Sequence, residues 1–294
     1  DLNGRVKGKD DPVEIQTWVL KDGKYEWLYM EENHTAEGDQ EKRQRSPITF
    51  VDVAAGMDHS LAVDNQGNVW AAGNNDRGQL GITGVSSVPY FIKVLDVETT
   101  TSLGGDKIVA VSAGDGYSLA LTDSGKVYAW GANDVGQLGL HYTSDSVATP
   151  TKLPLPNING ISAGTDHSLF TTFDGYVYAV GKNTNGKMGT GLKVDEESAT
   201  PVFLSELSGI VKTSAGDEHS LALSYGGRVS SWGSNEDGRL GYELRGGATS
   251  SAAMAVIPSL SSVMDVDAGT DHNLAVDYNG KLYSWGNDRN GQLG

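Results

Sequence analysis

Residues 113–139 read AGDGYSLALTDSGKVYAWGANDVGQLG. Apolar and polar residues alternate over Ser118–Leu121 and Val127–Trp130, the period of two expected of half-buried strands. Between them lies Thr122-Asp123-Ser124-Gly125, where short polar side chains bond the local backbone and glycine accepts positive φ. Gly131 and Gly136-Gln137-Leu138-Gly139 close the stretch, glycines at offsets that imply conformations other residues resist. The stretch predicts strand, turn, strand and a glycine-closed loop.

The skeleton recurs on both sides. Its opening Ala-Gly pair falls at Ala55-Gly56, Ala113-Gly114, Ala163-Gly164, Ala215-Gly216 and Ala268-Gly269, with the glycines spaced 58, 50, 52 and 53 residues apart. A period near fifty with four short strands per unit is the signature of propeller blades, not of helical solenoids. The fold class is therefore all-β, a propeller of four-stranded blades, with units at about 47–107, 108–159, 160–208, 209–262 and 263–294.

Within a unit the first strand ends at Ala-Gly, the second is His59–Val63 and its equivalents, and the third is Val69–Gly73 and its equivalents. A fourth is expected near Tyr90–Val94, Thr151–Leu153, Val202–Leu204 and Ala255–Ile257, the first three just after Pro89, Pro150 and Pro201. Proline is tolerated at the first residue of a strand or on an edge, so these strands are read as outer ones. No segment sustains helical apolar spacing, and essentially no helix is expected.

Residues 1–46 form a separate N-terminal part. Trp18–Trp27 resembles Leu121–Trp130, so it reads as the inner hairpin of a worn sixth unit. Glu31–Ser46 is polar and aperiodic, a linker or long loop. The basic run Lys42-Arg43-Gln44-Arg45 is read as part of that solvated linker, and Asn33-His34-Thr35 fits a glycosylation sequon.

Composition narrows the classes of function. Of 294 residues 38 are acidic and 22 basic, a net charge of −16. Phosphate-backbone binding relies on Lys and Arg displacing counterions, so nucleic acid is not the expected partner. No apolar run approaches the roughly 18 residues needed to cross a bilayer. With no cysteine, disulfides, thiolate catalysis and Cys-ligated zinc are excluded. The chain starts at Asp1, from which a leader has been removed or the piece excised, and an extracellular or surface location is expected, with cytoplasmic as the alternative.

The full pattern, Ala-Gly-x-x-His-Ser-Leu-Ala…Gly-x-Val-Tyr-x-Trp-Gly-x-Asn-x-x-Gly-Gln-Leu-Gly, resembles the repeat of the regulator of chromosome condensation family over residues 47–294. The resemblance implies a seven-bladed propeller if complete. Five good units and one worn one are present, so the chain is a fragment, or a smaller ring closes, or residues 1–30 and a partner complete it. Members of this family do unrelated jobs, among them nucleotide exchange on a small GTPase, ultraviolet-B sensing and β-lactamase inhibition. Fold alone does not choose among them.

Asp58-His59-Ser60 and Asp166-His167-Ser168 contain the residue types of a hydrolase triad. Neighbours on a strand point to opposite faces, so contiguous residues cannot align nucleophile, base and orienter. Their repetition in phase argues for architecture, with His and Ser bonding between strands or blades. One histidine per blade likewise spreads His59, His167, His219 and His272 around a ring, away from any common ion. No catalytic residue, metal or cofactor is expected. Trp130, Trp232 and Trp285 fill a Trp-Gly slot that Ala72 and Val180 also occupy, so core packing accounts for them.

Partner binding is expected on loops that differ between copies. Candidate contacts are Tyr90 and Phe91 in the longest connection, Ile82–Lys107, and Arg77, Lys187, Arg239 and Arg289 on or beside the glycine loops, placing basic groups along one rim. From the resemblance, the corner residues facing the GTPase in the exchange member match Asp115, Asp166, Asp217 and Asp271, with His167, His219 and His272. Tyr117 departs from that pattern. The chain is thus read as a non-catalytic interaction propeller for a protein or glycan. The alternatives are guanine-nucleotide exchange and a structural subunit that self-associates.

Overall fold

The computed structural model describes residues 48–97, 100–155, 157–191 and 196–294, and the backbone of Trp18–Lys21 and Lys24–Trp27. Two compact units divide the chain, Asp1–Phe50 and Val51–Gly294. In the first, Trp18–Lys21 pairs antiparallel with Lys24–Trp27, Trp18 opposite Trp27 and Lys21 opposite Lys24. The sequon at Asn33–Thr35, the basic run at Lys42–Arg45 and the polar segment Glu31–Ser46 lie outside the described residues.

The second unit is built of antiparallel sheets in meander order. Blade 1 comprises Phe50–Ala55, His59–Asp64, Val69–Asn74 and Ser87–Leu95; blade 2 comprises Ile108–Ala113, Tyr117–Thr122, Val127–Asn133 and Ser144–Lys152. Blade 3 is Ile158–Ala163, His167–Thr172, Val177–Lys182 and Glu197–Phe203, and blade 4 is Ile210–Ala215, His219–Ser224, Val229–Ser234 and Ser250–Val256. Blade 5 has three strands, Val263–Ala268, His272–Asp277 and Leu282–Gly286. Among the described residues the helical elements are single 3-10 turns of three residues.

The outer strands start earlier than the sequence reading placed them, and Pro89, Pro150 and Pro201 lie inside them. Each falls where the pairing register slips, between Val88 and Ile92, Val147 and Thr151, and Ser198 and Val202. A slipped register on an edge leaves positions that need no ladder donor, so proline interrupts nothing there.

Both faces of an interior blade are buried, and the core is divided among the seams between blades. Leu61, Val63, Val69 and Ala71 of blade 1 pack on Ile108, Val111, Ala120 and Trp130 of blade 2. Leu119, Val127 and Ala129 of blade 2 pack on Ile158, Phe170 and Val180 of blade 3. Equivalent clusters join blades 3 and 4 and blades 4 and 5. The two outermost faces differ. Val53 is 71% exposed where its counterpart Val111 is 7%, and Leu282 is 66% exposed where Val69, Val127, Val177 and Val229 are 0%. Among the described residues no blade covers these faces, so these five blades do not close into a ring by themselves.

The glycine loops are held by one repeated bond. Asn75, Asn133, Asn183 and Asn235 accept through Oδ1 from the main-chain N–H of Leu80, Leu138, Met188 and Leu240. Asp288 takes the part in blade 5, accepting from Leu293. An Asx side chain is the right length to close such a loop on itself.

Candidate functional site

Each Ala-Gly-x-x-His corner is a tight turn in which the glycine N–H donates to the carbonyl three residues on, at 2.9 Å in all five blades. The end of the third strand then donates back to the corner: Asn74 to Asp58, Ala132 to Gly116, Lys182 to Asp166, Ser234 to Glu218 and Asn287 to Asp271. Corners and glycine loops therefore share one face of the unit. At its centre the first residues of the five corners, among them Asp115 and Asp217, line an open cavity of about 370 Å³.

Glycine is required where strand and corner meet. Gly131 has φ +99°, and a Cβ there would stand 2.5 Å from the Gly116 carbonyl oxygen. A Cβ on Gly164 would stand 2.7 Å from the His167 ring, so each corner glycine leaves room for the imidazole behind it.

The histidines point into the seams. His59 Nε2 lies 2.8 Å from Ser118 Oγ of the next blade, and Ser118 in turn donates to the Gln79 carbonyl at 2.7 Å. With the hydroxyl proton committed, the imidazole is the donor. His167 repeats this with Ser220, which donates to Lys187 O, and His219 donates to Asn273 Oδ1, whose amide donates to Arg239 O. The Trp-Gly slot uses the same acceptors: Trp130, Trp232 and Trp285 donate to the carbonyls of Gln79, Lys187 and Arg239. In blade 2 the Tyr117 hydroxyl donates to the His167 carbonyl at 2.7 Å.

This arrangement answers two expectations. His59 pairs with a serine 59 residues away in the next blade, so adjacent Asp, His and Ser form no triad. His167 and His219 are fully buried, and of the corner histidines matched by resemblance only His272 reaches the surface, its ring 3.6 Å from Asp271. Burial lowers His59 and His219 to about 4 and His167 well below its usual range. Among the described residues no group of His, Asp and Glu is placed to hold a metal ion.

The bases do not make a basic rim. Lys187 is completely buried, 2.5 Å from Asp166 Oδ1 and 3.3 Å from Glu218 Oε1. Arg239 is buried near Asp237, and Arg289 bonds the same carboxylate from the exposed side. Arg77 pairs with Asp134 across the seam at 3.5 Å. Formal charge is legible in a sequence; its neutralisation by a neighbouring blade is not.

The carboxylates remain in excess. Asp166, Asp217 and Asp271 come together with Asp58, Asp115 and Glu218 on the corner face, in two registers: Asp58, Asp166, Glu218 and Asp271 share one corner position, Asp115 and Asp217 the one before it. Asp58 and Glu218 lie outside the contacts expected from the sequence, although their phase matches that of Asp166. The exposed Asp115 carboxyl is raised, first by partial burial and then by Asp58, Asp166 and Asp134, with Arg77 opposing. Tyr90 and Phe91 sit midway along the outer strand of blade 1, apart from the corners, with Tyr90 57% exposed.

Comparison with known proteins agrees with this geometry. A family model described as RCC1-like domain matches residues 16–294. The chain is 34% identical over 285 residues to Protein pim1 of Schizosaccharomyces pombe, covering 87% of this chain and 41% of that protein. It is 30% identical to the Ultraviolet-B receptor UVR8 of Arabidopsis thaliana, covering 84% and 55%. It superposes on Prp20p of Saccharomyces cerevisiae, a structure described with its binding properties to Gsp1p and histones, at TM-score 0.71 and 28% identity over 86% of this chain and 60% of that one. The chain thus spans about half the length of such relatives.

Proposed function

Since the chain belongs to the RCC1-like domain family, we propose that it is a non-catalytic propeller that binds a protein partner on its corner face, over the mouth of the central cavity. The observation that carries this reading is the set of carboxylates on successive corners, where Asp115 is raised first by burial and then by Asp58 and its other acidic neighbours. A cleft lined by one sign of charge concentrates ligands of the other sign. The partner is therefore a protein presenting Lys and Arg, and the binding of Gsp1p and histones described for Prp20p supports a partner of that class.

Nucleotide exchange on a small GTPase is the second reading, favoured by the same corner acids at Asp115, Asp166, Asp217 and Asp271. Titration calorimetry against core histones and against a small GTPase, at low and high salt, tests the first reading. Binding that weakens with salt and is lost in Asp58→Lys/Asp115→Lys supports it; binding indifferent to both substitutions removes it. Accelerated nucleotide release from the GTPase would favour the second reading.

A further inference from the structure

Three seams hold a buried imidazole in the same place. His59, His167 and His219 each donate through Nε2–H to the following blade, and the Nδ1 of each is buried with no hydrogen-bonding partner. That nitrogen faces the corner glycine: a Cβ at Gly56, Gly164 or Gly216 would lie 2.6, 2.8 or 2.7 Å from it. A proton arriving there creates a buried charge and a second donor on a ring whose second nitrogen is unpartnered, and both are costly. The seam between blades 2 and 3 is built differently. Tyr117 takes the histidine's position, fully buried, and a phenol gains no proton in acid.

The charged groups facing each ring do not cancel the effect. Asp58 favours protonation of His59, but burial outweighs it. Lys187 and His219 both oppose a charge on His167, and Lys187 is held there by Asp166 and Glu218. At His219, burial and Arg239 oppose the charge, while the bond to Asn273 and the carboxylates Asp217 and Asp271 favour it.

We propose that these histidines make the propeller acid-labile at chosen seams: mild acid raises the frequency of opening at the joints between blades 1 and 2, 3 and 4, and 4 and 5, while the joint of blades 2 and 3, held by Tyr117, is unaffected. A histidine freed by opening takes its proton near its ordinary pKa of about 6.5. In the closed seam at His59 the ring holds out to about 4. The closed form is favoured above the ordinary value and loses ground as pH falls between the two. With one proton linked to opening, opening at that seam rises by roughly fifty-fold between pH 7 and 4.5.

Hydrogen exchange of the intact chain between pH 7 and 4.5, corrected for the intrinsic rate, reads this corner by corner. The expected result is a loss of protection of roughly fifty-fold at residues 55–59, 163–167 and 215–219, with little change at 113–117. The difference should vanish in His59→Gln/His167→Gln/His219→Gln. An equal loss at all four corners, or a difference that survives the triple substitution, would overturn the proposal. Should the triple variant fail to fold, imidazole NMR of the unaltered protein decides. Three rings neutral and Nε2-protonated at pH 5 support it, and rings that titrate near 6.5 sink it.

Discussion

The Lys187 ammonium of blade 3 donates across the seam to the main-chain oxygen of Asp217 in blade 4, at 2.9 Å. In blades 1, 2 and 5 a glutamine holds this loop position and folds back on its own loop, as Gln79 does in accepting from the Arg77 N–H. Lysine is long enough to reach the neighbouring corner, where Asp166 and Glu218 neutralise it.

Replacing Lys187 by Met should therefore cost about 3 kcal/mol, since removing one member of a buried pair leaves the others uncompensated. Asp166 and Glu218 are about a quarter exposed, which keeps the loss at the low end. Lys187→Gln, which restores the bond used in the loops of blades 1, 2 and 5, should cost less than half as much. Urea denaturation of both variants checks the order; equal losses would mean that the restored loop bond contributes nothing, and no loss in either that the cross-seam pairing contributes nothing.

Two glycines should respond oppositely to alanine. Gly131→Ala meets positive φ and a backbone oxygen at 2.5 Å, and the strain should exceed about 2 kcal/mol. Gly226, in the turn of blade 4, has neither positive φ nor any atom within 4 Å of an added Cβ. Gly226→Ala should be neutral or stabilising by about 0.5 kcal/mol through the unfolded chain. Thermal unfolding of the two variants would show the contrast.

Asp64 gives a pH dependence of the same sign as the histidines, at lower pH and through its charged form instead of a neutral one. Burial raises its carboxyl, but bonds from Trp70, Asn68 and Gln66 outweigh this and hold it below the ordinary 3.8. A depressed carboxyl stabilises the fold above its unfolded value and loses that contribution as pH falls through the folded one. Asp64→Ala should cost about 1–2 kcal/mol at neutral pH, and the gap to the unaltered protein should narrow below about pH 4. A gap unchanged down to pH 3 would show that packing, not charge, is at stake.

The blade plan was legible because it is local. Ser118–Leu121 and Val127–Trp130 alternate, Gly125 marks the turn between them, and the Ala-Gly corner repeats in phase. The seams were not, because their partners lie a whole repeat apart: His59 with Ser118, His167 with Ser220. Sequence phase marked these residues as architectural without saying which blade each serves. The bases misled for the same reason, since Lys187 and an exposed lysine look alike until the neighbouring corner is in place. Asp58 and Glu218 were readable in principle, being in phase with Asp166.

The claim that a partner sits on the corner face is tested most directly by mapping hydrogen exchange on the chain with a basic protein partner bound. Protection is expected at the corners, residues 113–117, 163–167, 215–218 and 268–271. The opposite ends of the strands carry exposed aromatics on their turns, Phe173, Tyr225 and Tyr278, and should be unchanged. Protection confined to those turns, with the corners unaffected, would contradict the account.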